Sequence, residues 1–122
     1  MNVLLYSTTK GRIEREVEGL VEALVPREKL EICRTADDLY NRLCAPVDDL
    51  GAAVLLACDR KDLSDMLSMK ELIWRLRAIL ILPDMEADSI SKAYALQPRF
   101  VGYVDSNLLV VSAMLNKMLE NT

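Results

Sequence analysis

Histidine is absent from this chain, and with it go the commonest metal ligand and the usual acid–base group at neutral pH. Cysteine is scarce and odd in number. Cys33, Cys44 and Cys58 show no C-x-x-C spacing, so they read as small buried hydrophobes and not as a disulfide framework or a metal set. Long apolar runs are missing too: those present, such as residues 78–83 and 108–111, fall far short of the about 20 residues that a bilayer span needs. The N-terminus has no signal-peptide layout, so the expected location is cytoplasmic with no membrane partner. Positive charge is not concentrated anywhere. The 15 basic residues are scattered among 19 acidic ones for a net charge of −4, which excludes the clustered cationic footprint that a nucleic-acid backbone requires. With only four glycines and four prolines, the chain also carries no linker, repeat or low-complexity segment.

What is present is core material. At 52% hydrophobic over 122 residues, the composition suits one compact domain, residues 1–122, without an output module. Residues 2–6 form an apolar run of strand length, as expected of a parallel strand covered on both faces. From Gly11 onward, Ile13, Val17, Leu20, Val21 and Leu24 recur at helical spacing, and Glu14, Arg15, Glu18 and Glu22 take the opposite, solvated face until Pro26. Residues 29–33 alternate as an edge strand does, and Thr35 offers an N-cap to a short helix carrying Leu39, Leu43 and Cys44. Residues 52–58 read as a central strand, and 63–77 as one helix or two, with Trp74, Met66 and Met69 as packing residues. Residues 78–82 form a strand stopped by Pro83. A helix follows with Ile90, Ala93, Tyr94 and Leu96 on one side, then a strand at 100–104 and a last helix from 108 to about 119.

Five strands alternating with helices predict a parallel sheet with right-handed crossovers, an α/β fold with doubly wound, flavodoxin-like strand order 2-1-3-4-5 and helices on both faces. Any ligand site then lies at the carboxyl ends of the first and third strands, where the connections diverge. Residues 7–10 and 57–61 occupy that crevice.

Lys92-Ala93-Tyr94-Ala95-Leu96 followed by Gly102-Tyr103-Val104, with Asn2-Val3-Leu4-Leu5-Tyr6 and Ala53-Val54-Leu55-Leu56 as strands, resembles the receiver domain of bacterial two-component response regulators over nearly the whole chain. The resemblance implies an acidic pair after the first strand, a phosphorylatable Asp after the third, a Ser/Thr after the fourth and a Lys after the fifth. Those positions hold Ser7 and Thr8, Ala57, Pro83 and Ser106, so every one departs from the pattern. Two hydroxyls in place of two acids remove useful Mg²⁺ affinity, and loss of the lysine removes the cation that would face a phosphoryl group. The expectation is a degenerate receiver: no enzyme, no cofactor and no metal, a signalling or regulatory module that works through protein contacts.

Two other chemistries use residues of the same rim. Asp59 lies two positions beyond Ala57 and, with Asp84 and Asp105, offers a displaced phosphoacceptor site. Against this, acids after strands are ordinary N-cap residues. Tyr6-Ser7-Thr8-Thr9-Lys10-Gly11 resembles the phosphate loop of flavodoxins and suits a small anion at a helix N-terminus, although one Trp and one Phe are too few to sandwich a flavin. Hydrolysis by Ser7, Ser106 or Cys58 lacks a histidine partner. The candidate rim is therefore Ser7, Thr8, Thr9, Asp59, Asp84, Asp105 and Ser106.

The last helix is apolar almost all round. Leu108, Val111, Leu115 and Met118 make an inward stripe, which leaves Leu109, Val110, Ala113 and Met114 for the flanks and outer face. An apolar outer face predicts a protein partner or a homodimer. The receiver resemblance implies the same surface, formed by the fourth helix, fifth strand and last helix; Tyr94 and Tyr103 near it read either as anchors, through their large amphipathic contact area, or as core residues.

Overall fold

The computed structural model describes residues 2–8, 11–104 and 108–120. Strands β1 (Asn2–Tyr6), β2 (Leu30–Cys33), β3 (Leu50–Leu56), β4 (Ala78–Leu82) and β5 (Phe100–Tyr103) pair in parallel in the order β2-β1-β3-β4-β5. This is the doubly wound, flavodoxin-like order expected from the alternation of elements. The register places Tyr6 of β1 beside Cys33 of β2 and Leu55 of β3, and Leu82 of β4 beside Tyr103 of β5. The strand ends thus form one rim.

Side-chain alternation divides the strands between two layers. Val3, Leu5, Val54, Leu56, Ile79 and Ile81 face α1 (Arg12–Leu24) and α6 (Leu109–Glu120). Leu4, Tyr6, Leu55, Leu80 and Leu82 face α2 (Ala36–Cys44), α3 (Arg60–Ser68), α4 (Lys70–Ile73) and α5 (Ala87–Leu96). The central strands β3 and β4 are buried on both faces, which is why they read as unbroken apolar runs. Thr35 caps α2 by accepting a hydrogen bond from the Asp38 amide at 3.0 Å. The inward stripe of the last helix is as expected: Leu108, Val111, Leu115 and Met118 are all buried. Gly102 permits its close seat, since a Cβ there would lie 3.3 Å from Val111 Cγ2.

Four details differ from expectation. The third strand starts at Leu50 and ends at Leu56, and the following helix starts at Arg60, because Asp59 supplies its cap. The helical stretch takes the two-piece form, broken at Met69 into α3 and α4, but Trp74, expected as a packing residue, falls beyond the second piece and is 43% exposed, its indole N–H donating to the Ala95 carbonyl. Of the cysteines only Cys33 is buried, whereas Cys44 is exposed and Cys58 half-buried. On α5 the buried stripe is Ser89, Ala93 and Leu96. Tyr94 lies one residue off it and is 73% exposed.

A crevice closed by its own carboxylates

Ser7 is fully buried and its amide donates to the Cys33 carbonyl at 3.1 Å, continuing the β1–β2 ladder by one residue. Thr8 follows, and its hydroxyl donates to Asp62 Oδ2 at 2.9 Å. The same oxygen accepts the Cys58 amide at 3.0 Å. A carboxylate from the first turn of α3 thus bridges the loops that leave β1 and β3.

The local sequence explains why Asp62 faces inward. Asp59 is the N-cap of α3, in extended conformation, and accepts the Asp62 amide at 2.8 Å. Asp62 is the third residue inside the helix, the position from which an acid reaches back over the N-terminus. Here it passes the cap and takes the amide before it, and the residue is only 6% exposed. Negative charge is favourable there, next to the positive end of the helix dipole.

α1 repeats the arrangement. Gly11 is its N-cap and Glu14 the third residue inside. Glu14 was expected on the solvated face; it is 8% exposed and Oε1 accepts the Cys58 thiol at 3.2 Å. Its carboxylate folds so closely over Gly11 that a Cβ there would lie 2.5 Å from Glu14 Oε2. The correction has a simple cause: helical periodicity sorts residues by face, but a first-turn acid can leave its face to satisfy helix and strand ends.

The remaining rim residues are separately engaged. Asp59 is exposed and committed to its cap. Asp84 is half-buried, accepts the Glu86 amide at 3.0 Å and pairs with Arg60 at 3.4 Å, while Arg60 also pairs with Glu86. The neighbouring Ser89 hydroxyl, then the Glu86 amide and Arg60, hold the Asp84 carboxyl below its usual range. Among the described residues, no three cysteine or acidic side chains converge as metal ligands. Thr9, Asp105 and Ser106 lie outside the described residues. The positions aligned to the receiver chemistry do fall at strand ends: Ser7 after β1, Ala57 after β3 and Pro83 after β4. Ala57 is fully buried in the core layer beneath α3, its amide bonded to the Ile81 carbonyl at 2.9 Å.

The residues expected at an interface separate by layer. Leu109 and Val110, in the first turn of α6, are 64% and 49% exposed, and Ala113 is exposed as well. Met114 is half-buried and packs against the α1–α6 layer, whereas Tyr103 is half-buried against the opposite one. Tyr94 stands on that opposite layer, so only the β5 edge connects it with the α6 residues.

Neither a protein-family model nor a curated protein matches the sequence. Solved structures do match its fold. The chain is similar to the signal receiver domain of a DNA-binding response regulator from Colwellia psychrerythraea, at 15% identity, a TM-score of 0.73 and 98% coverage of each chain. It is also similar to two proteins assigned to pilus assembly, from Burkholderia pseudomallei and Burkholderia thailandensis. Each has 18% identity, a TM-score of 0.65 and 98% of this chain covered, with 90% and 98% of the respective neighbour. The shared property is a receiver-like fold. No helix among the described residues is long and apolar enough to cross a membrane.

Proposed function

We propose that this domain is a non-catalytic regulatory module that works by protein–protein contact from a receiver-like scaffold, in the cytoplasm, and that it does not accept a phosphoryl group. The observation that carries this reading is Asp62, which spans the crevice and bonds both Thr8 and Cys58. In that position it fills space and donors that an acyl phosphate would use, while Ala57 offers no nucleophile. Asp59 as a displaced phosphoacceptor is disfavoured by its commitment to the cap of α3. An anion at the start of α1 would compete with the Glu14 carboxylate folded over Gly11. Two of the similar structures belong to proteins assigned to pilus assembly, and a contact role within such an assembly is one form this reading takes.

An amide NMR titration with Mg²⁺ and then beryllofluoride, the acyl-phosphate mimic, tests the first half of the proposal. The spectrum should not change. Shifts confined to Thr8, Asp59 and Asp84 would mean a relocated phosphoswitch, and Asp59→Asn, which keeps a good cap, would then abolish them.

The second half of the proposal is homodimerisation through the outer face of α6 and the β5 edge, supported by the exposure of Leu109 and Val110. Replacing both with Glu is cleaner than touching Met114, which packs on the core. Sedimentation should show a wild-type dimer and a Leu109→Glu, Val110→Glu monomer with an unchanged circular dichroism spectrum. A folded double variant that still dimerises would rule out α6 as the interface.

A further inference from the structure

Beside the crevice, on the α2 side, lies a cleft of about 340 Å³ between the ends of β1 and β2 and the first turns of α2 and α3. Tyr6 lines it. That side chain is fully buried, and its hydroxyl has no hydrogen-bond partner among the described residues. A buried polar group left unpaired is costly and uncommon in native proteins, so an unpaired hydroxyl buried directly behind the lining of a cleft points to something that reaches it. Burial first, and then the charges of Asp62 and Asp65, push the Tyr6 ionisation far above its ordinary range, so the group stays a proton donor.

The rest of the lining sets the chemistry of the entrant. Asp62 Oδ2 is occupied by Thr8 and Cys58, but Oδ1 receives no hydrogen bond from the described residues. Asp59 and Asp65 add two further carboxylates. Of the cations in the lining, Arg34 is turned away to Glu18 at 2.5 Å, and Lys61, 84% exposed, makes only a long pair with Asp65 at 3.8 Å, which leaves the cleft with a net negative charge. A group seated between a tyrosine donor and aspartate acceptors has to accept and donate at once. A hydroxyl does both; a carboxylate or phosphate cannot donate, and three acids repel it; a guanidinium cannot accept.

We propose that this cleft binds a small hydroxylated molecule, neutral or cationic, through a hydroxyl that accepts from Tyr6 and donates to Asp62 Oδ1. The site is separate from the proposed interface and shares Asp62 with the crevice. An ammonium elsewhere on the ligand gains from Asp59 and Asp65, so an amino sugar is favoured over a plain sugar, and a sugar phosphate is rejected.

The test is an amide NMR titration of the intact chain with glucosamine, glucose and glucose 6-phosphate. Glucosamine should shift Tyr6, Thr8, Thr35 and Asp62, glucose should do so more weakly, and glucose 6-phosphate should leave them unmoved. Tyr6→Phe should bind glucosamine about tenfold more weakly, the loss of one hydrogen bond. Its urea midpoint should not fall, since the hydroxyl it removes makes no bond in the free protein. Asp65→Asn, at a half-buried helix position, should weaken glucosamine more than glucose and serves if Tyr6→Phe does not fold. Absence of shifts with both hydroxylated probes, saturation by glucose 6-phosphate, or undiminished binding by Tyr6→Phe overturns the proposal. So does a lower urea midpoint for Tyr6→Phe without binding of any probe, which would assign the hydroxyl to a structural water.

Discussion

Ala57→Asp, which places a carboxylate where the receiver pattern has its phosphoacceptor, should lower the unfolding free energy by about 3–5 kcal/mol and confer no phosphorylation. Ala57 is fully buried in the same cluster as Leu55, Leu63 and Leu82. The amide of the following residue already serves Asp62, so a new carboxylate does not find that donor free. It also meets the charge of Asp62 at close quarters in a poorly screened site. Urea unfolding of the two proteins measures the cost, and incubation with acetyl phosphate tests modification. A variant of full stability that becomes phosphorylated, with acetate as the leaving group, would show that the crevice is open to phosphoryl chemistry after all.

Asp62→Ala should be the next most damaging substitution, at about 2–4 kcal/mol, because two donors lose a charged acceptor together. Thr8 is half-buried and regains some hydration. The Cys58 amide loses the acceptor that holds it at 3.0 Å. Asp62→Asn keeps one acceptor oxygen and should cost about half as much. The variants are compared by urea unfolding at one pH, and amide hydrogen exchange at Cys58 should accelerate in the alanine variant with the central strand unaffected. An alanine variant within 0.5 kcal/mol of wild type, roughly the spread of neutral surface changes, would mean that the bridge contributes nothing to holding the two loops.

The scaffold was legible because burial on both faces leaves a plain record. Strands such as 78–82 are apolar throughout, Pro83 and Pro98 mark stops, and Thr35 announces a helix. The inner stripe of the last helix followed from spacing alone. The site was less legible, since its two closing acids lie in helix first turns where periodicity says nothing of backbone ends. A local signal did exist: Gly11 and Glu14, like Asp59 and Asp62, stand as cap and acid three residues apart. Tyr94 was placed inward because a neighbouring residue on a helix differs by only about 100° in facing. The unpaired hydroxyl of Tyr6 had no sequence signal, since satisfaction of a buried group depends on neighbours distant in the chain.

A two-state switch shifts only when some ligand distinguishes between its states. In this crevice the ligand is a residue of the chain, tethered a few positions from the amide it binds, and neither donated nor withdrawn by a kinase or a phosphatase. On the reading proposed above, phosphoryl transfer does not reset the equilibrium of this domain. Its output then follows mass action: how many copies are made, how fast they are cleared, and how strongly each meets its partner.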